Sequence, residues 1–115
     1  MREILSKLNK INGVRGSMLI NRDGIVVASD FSIDVEESSF GAVASSVLSA
    51  LEGALKRIDM GTFSRFVISG SENKLAMVNT GQTILLVLLN RDANTGLINL
   101  ELKEAAFAIQ EKSKM

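Results

Sequence analysis

The 115-residue sequence predicts one α+β domain, spanning residues 1–115, in the order α-β-β-α-β-β-β-α. Three observations carry that reading. Apolar side chains recur at helical spacing in a first, a middle and a last segment. Short β-prone runs lie between those segments, separated by an Asp-Gly pair and by clusters rich in Gly, Ser and Asn. A chain of this length also buries roughly two thirds of its unfolded surface, enough for a single core without disulfides or metal.

Each element follows from its own residues. Ile4, Leu5, Leu8 and Ile11 place a first helix at 3–11, and Asn12-Gly13 supplies residues that tolerate a left-handed helix end. Runs at 16–20 and 25–28 flank Asn21-Arg22-Asp23-Gly24, whose Asp-Gly pair predicts an antiparallel hairpin. Asp34, with Glu37 three residues later in capping-box spacing, opens a second helix whose periodicity persists to Met60 before Gly61 ends it. Residues 62–69, 75–80 and 84–89 then read as a three-stranded meander joined through Gly70-Ser71-Glu72-Asn73 and Thr80-Gly81-Gln82. The run 84–89 lacks alternation, as a central strand buried on both faces does, whereas Arg65 and two serines mark 62–69 as an edge. A last helix over 95–112 completes the order.

Composition removes whole classes of chemistry. The chain has no His and no Cys, which excludes Cys/His zinc sites, Ser/His/Asp and Cys/His triads and CxxC redox pairs. Thirteen Lys and Arg balance thirteen Asp and Glu, so the electrostatic footprint of a nucleic-acid or anionic-membrane binder is missing. Residues 1–10 alternate charged and apolar side chains without the apolar stretch of a signal peptide. The longest aliphatic run, 84–89, is far shorter than the roughly 20 residues of a spanning helix. A cytoplasmic protein without catalytic, cofactor-binding or metal-binding residues is expected. Asp30, Asp34, Glu36 and Glu37 form an acidic cluster, but acids at a helix start are what the macrodipole favours, and EF-hand spacing is absent. Gly13-Val14-Arg15-Gly16 lacks the GxxxxGK[ST] pattern of a phosphate cradle.

The middle helix is the unusual segment. In projection, Phe40, Ala44, Val47, Leu51, Leu55 and Ile58 fall in a narrow arc edged by Val43 and Leu48, the face predicted to lie on the sheet. On the other side Gly41, Ser45, Ser49 and Gly53 recur at i+4 spacing, flanked by Ala42, Ser46, Ala50 and Ala54, and no charge occurs over 38–51. Gly in an exposed helix interior costs about 1 kcal/mol against Ala, so the stripe calls for a packing reason. It packs either inside its own subunit, beneath the other helices, or on the same stripe of a second copy about a two-fold axis.

Residues 13–17 (Gly13-Val14-Arg15-Gly16-Ser17), continuing through 21–29, resemble the signature hairpin of the roadblock family, which includes roadblock-type dynein light chains and bacterial MglB-type regulators of Ras-like GTPases. The Ala/Ser-rich helix, the Leu-rich last strand and Asp92-Ala93-Asn94-Thr95-Gly96-Leu97 before the final helix are also similar in order and spacing. That resemblance implies a roadblock/profilin-like fold: a five-stranded antiparallel sheet with the long helix on one face and the terminal helices on the other. It further implies dimers that pair the edge strand after the long helix and pack the long helices together. Joined to the stripe, it gives an expected interface of Gly41, Ala42, Ser45, Ser46, Ser49 and Gly53 with Phe63, Arg65 and Val67. The partner copy is a second identical chain or a paralogue. The implied function is binding and regulation of a Ras-like small GTPase, including a GTPase-activating role; the alternatives are a scaffold subunit of a larger assembly and a small-ligand sensor. Two further sets can meet a partner: Lys56 and Arg57, which the helix dipole alone also explains, and Leu100 and Phe107, which project away from the core stripe of the last helix.

Overall fold

The structure, a computed structural model, describes residues 1–31 and 35–113. Helix α1 (Arg2–Asn9) precedes β1 (Val14–Asn21) and β2 (Val26–Phe31); α2 (Glu37–Arg57) is followed by β3 (Arg65–Ser69), β4 (Asn73–Asn79), β5 (Thr83–Asn90) and α3 (Thr95–Ser113). The strands form one antiparallel sheet of order β2-β1-β5-β4-β3. Fold class and element order match the expectation, with β5 central and β3 at an edge.

Strand alternation divides the apolar side chains between two cores. Leu19, Ala76, Val78, Leu85, Val87 and Leu89 point to the side covered by α1 and α3, where Leu5, Leu8, Ile98, Leu102 and Ile109 meet them. Met18, Ile20, Met77, Ile84 and Leu86 point to the other side, against Ala44 and Leu48 of α2. All of β5 from Ile84 to Leu89 is buried, which is why its sequence is aliphatic without a break. Buried Ser17 ties α1 to the sheet, its one hydroxyl proton within reach of two acceptors, Asn9 Oδ1 (3.0 Å) and Leu5 O (3.3 Å), and Asn9 Nδ2 donates to Asp30 O at 2.6 Å.

Two expectations about α2 are corrected. The helix starts at Glu37 with Glu36 as N-cap and no side-chain cap; the predicted cap, Asp34, lies outside the described residues. Glu37 Oε2 accepts a 2.6 Å bond from Ser29 Oγ of β2, which ties the first turn of α2 to the sheet. Asp30, meanwhile, pairs with Ser17 on the α1 side of the sheet, so the acidic cluster is divided between two faces. At the other end α2 stops at Arg57 rather than Met60, with Asp59 (φ 57°) and Gly61 (φ 86°) turning the chain through left-handed conformations.

The second correction concerns the buried arc. Gly41, Ala44 and Leu48 are buried, Phe40, Val47, Leu51 and Leu55 are partly so, and Ile58 is exposed. The helix is thus rotated by about 60° from the face its large apolar residues define. Gly24, at φ +88°, is the cause: a Cβ at Gly41 would stand 2.5 Å from the Gly24 carbonyl oxygen. Two facing glycines let α2 sit directly on the β1–β2 turn.

Candidate interaction surface

That turn is held in place by its own side chains. Asn21 Oδ1 accepts from the Asp23 and Ile25 amides at 2.9 and 3.1 Å, shaping the loop that presents Arg22. The Arg22 guanidinium then bonds Gly81 O (3.1 and 3.2 Å), Asn79 Oδ1 (3.1 Å) and Glu52 Oε2 (3.0 Å), while Ser45 Oγ donates to Arg22 O at 3.1 Å. One arginine therefore joins the β1–β2 turn, the β4–β5 turn and α2. With that flank anchored, the opposite flank of α2 faces outward.

The outward flank carries Ala42, Ser46, Ser49, Ala50 and Gly53, all exposed. Nothing lies within 4 Å of where a Cβ would stand on Gly53, so no contact inside the subunit explains a glycine there. The other half of the predicted stripe is used internally: Gly41 is buried on Gly24, and Ser45 is bonded to the turn. Gly41 is therefore not an interface residue of the subunit surface. Nor is Phe63, which is 3% exposed and packs edge-on to Phe66 at 5.3 Å. It precedes β3, which begins at Arg65 rather than at 62.

Register sorts the rest of the edge strand. Arg65 and Val67 pair with Val78 and Ala76, so both face the α3 side, and Arg65 Nη1 donates to Asn99 Oδ1 of α3 at 2.7 Å. Ile68, opposite Leu75, is the exposed β3 side chain on the α2 face. The structure thus brings Ala42, Ser46, Ser49 and Gly53 together, and leaves Arg65 and Val67 on the reverse of the sheet. Residues missed in the sequence complete the surface: Val43 and Ile58, each 64% exposed, Met60 and Ile68. The neighbouring Gly24 and Gly41 were the available signal, since a close glycine contact shifts the whole helical projection.

The two other candidate sets do not converge. Lys56 and Arg57 occupy the exposed last turn of α2, whereas Leu100 (62% exposed) and Phe107 (64% exposed) project from α3 on the opposite side. Among the described residues, no helix is long and apolar enough to cross a membrane.

A family model of the Roadblock/LC7 domain matches residues 1–90. The chain belongs to the Roadblock/LC7 family. Two relatives from Methanocaldococcus jannaschii, the uncharacterized proteins MJ0310 and MJ1340, are each 39% identical to it over 107 residues, covering 93% of this chain and 94% of theirs. Among solved structures, a Roadblock/LC7 domain from Streptomyces avermitilis superposes with a TM-score of 0.92 at 20% identity, covering 100% of this chain and 98% of that one. Myxococcus xanthus MglB gives 0.91 at 19% identity, covering 97% and 93%. These likenesses establish the roadblock fold for this chain.

Proposed function

We propose that this roadblock domain is a homodimeric, non-enzymatic module that binds a Ras-like small GTPase and modulates its nucleotide turnover. The observation that carries the reading is the uncharged outward flank of α2, small residues with exposed Val43 and Ile58 beside them, on the same face as Ile68 of the edge strand β3. An edge strand with one side of its backbone unpaired is a template for a second strand. A second copy related by a two-fold axis would extend the sheet through β3 and cover both α2 flanks at once. The GTPase partner rests on the resemblance to roadblock-family regulators. Without His or Cys, the module's contribution to hydrolysis would be to hold the GTPase's own catalytic groups in productive geometry. Arg22 is held by four hydrogen bonds within its own subunit, so it is not free to serve as an arginine finger.

The test has two stages. Light scattering at micromolar concentration should give twice the 12.4 kDa subunit mass. The protein is then added to a Ras-like GTPase from the same genome, recognised by GxxxxGK[ST], and phosphate release is followed. A changed rate supports regulation; binding with an unchanged rate supports the scaffold alternative.

A further inference from the structure

On the far side of the sheet from α2, the terminal helices leave an open groove of about 310 Å³ between them. Ile4, Leu8 and Ile11 of the α1 segment form one wall, and Glu101, Ala105 and Ala108 of α3 the other. The space exists because α3 presents two alanines where larger side chains would fill it. Its size falls at the lower end of small-molecule sites, roughly 300 to 1,000 Å³. Glu101 stands in its wall with Oε2 out of solvent and without a hydrogen-bond partner. Lys7, Lys10 and Glu104 also line the groove, but all three are exposed and none pairs with Glu101 among the described residues.

A sealed carboxylate oxygen without a donor is a costly arrangement. Lys7 and Lys10 line the groove with exposed side chains and neither bonds Glu101 Oε2, so the carboxyl has a free position for a positive donor brought by an occupant of the groove. The Glu101 carboxyl turns readily about its last torsion, whose wells are broad, and with no bond at Oε2 to break it can swing toward an occupant. Helix α1 has eight residues, about 12 Å at 1.5 Å per residue, too short a wall to dock the several turns of a partner helix. We propose that the α1–α3 groove is a binding site for a small organic cation, an ammonium or guanidinium group on a short apolar body, with Glu101 as its counter-charge.

Hexylammonium, hexanol and hexanoate share one apolar body and differ only in charge, which makes them suitable probes. Titrated into the ¹⁵N-labelled full chain, hexylammonium should give saturable shifts at the amides of Ile4, Leu8, Glu101, Ala105 and Ala108, with hexanol weaker and hexanoate silent. Glu101→Gln should weaken hexylammonium at least ten-fold while melting at the same or a higher temperature, because it removes an unpaired charge. Ala108→Leu, which fills the groove and leaves Glu101 in place, should abolish the shifts. Equal binding of hexylammonium and hexanoate would overturn the proposal, as would wild-type binding by either variant. So would a Glu101→Gln protein that melts several degrees lower without ligand, since Glu101 would then already be paired within the fold.

Discussion

On the α1–α3 side of the sheet two helices seal the core, with Leu5, Leu8, Ile98, Leu102 and Ile109 at 3% exposure or less, whereas on the α2 side a single 21-residue helix leaves Phe40, Leu51, Leu55, Phe66 and Leu75 only partly covered and Val43, Ile58 and Ile68 in solvent. The sheet itself does not cause the difference, because β5 is aliphatic toward both sides. Cover does: one face has two helices and the other has one, displaced toward the turns by the Gly24–Gly41 contact. A face of that kind resembles a core cut in half, as obligate interfaces do.

The comparison breaks most sharply at Ser49. Its side chain is exposed on the small-residue flank of α2, so Ser49→Arg should leave the subunit folded, with a change within about 0.5 kcal/mol of its own stability. In the proposed dimer each substitution is felt twice, and like charges brought together there cost several kcal/mol. The expected outcome is a folded 12.4 kDa monomer by light scattering, with an unchanged circular dichroism spectrum. A variant that remains dimeric would show that the α2 flank is merely solvated.

Next in size is the contrast between the two cores. Leu102, fully buried on the sheet-facing side of α3, should lose about 3 kcal/mol on substitution by Ala, a fall in melting temperature of roughly 12 °C for a chain of this length. Leu55, only partly buried against the α2-side core, should lose about half as much when Leu55→Ala is measured in the Ser49→Arg background. Equal losses would mean that the α2 side is as well sealed in the isolated subunit as the α1–α3 side.

How much of this was legible beforehand depended on whether the deciding contact is local. Asn21-Arg22-Asp23-Gly24 announces its hairpin because the turn's own residues satisfy it: Asn21 Oδ1 takes two of the loop amides and Gly24 supplies the positive φ. Residues 84–89 announce a central strand because burial on both faces removes polar alternation. The orientation of α2 was not legible, because it is set by Gly24 meeting Gly41, seventeen positions apart in the chain. A projection weighted by large apolar side chains gives glycine no voice, and it placed Ile58 on the sheet and Gly41 on the surface. Which of Val67 and Ile68 faces α2 was equally illegible, because it follows only from the pairing of β3 with β4.

Gly41→Ala tests that tertiary contact directly. The added methyl would fall 2.5 Å from the Gly24 carbonyl oxygen and 3.5 Å from Ile20 Cγ2, so either α2 lifts from the turn or the turn moves. Overpacking of this kind costs about 2 kcal/mol, partly offset by the better helix propensity of Ala. Gly53→Ala, with open space around the site, should by contrast raise the stability of the Ser49→Arg monomer by up to about 1 kcal/mol. If both substitutions stabilise, the glycine contact does not set the orientation of α2.

The smallest effect is expected at the rim of the sealed face, where Lys112 Nζ of α3 donates to Glu3 Oε2 of α1 at 3.2 Å. The hydrogen bond from Lys112, helped by the Glu3 backbone amide and by the positive charges of Lys112 and the amino terminus, holds the Glu3 carboxyl below its ordinary pKa of 4.5. A folded-state pKa below the unfolded one means that folding favours the ionised group, so the contribution is complete above the ordinary value and fades as pH falls through the lowered one. Lys112→Gln should therefore lower the melting temperature slightly at neutral pH in low salt. The difference from wild type should shrink in high salt, because both partners are exposed, and vanish in acid, once Glu3 is protonated in both proteins. A gap that persisted unchanged at low pH would show that Lys112 supports the α1–α3 face through packing of its stem rather than through its charge, and would place the strength of that face entirely in its apolar seal.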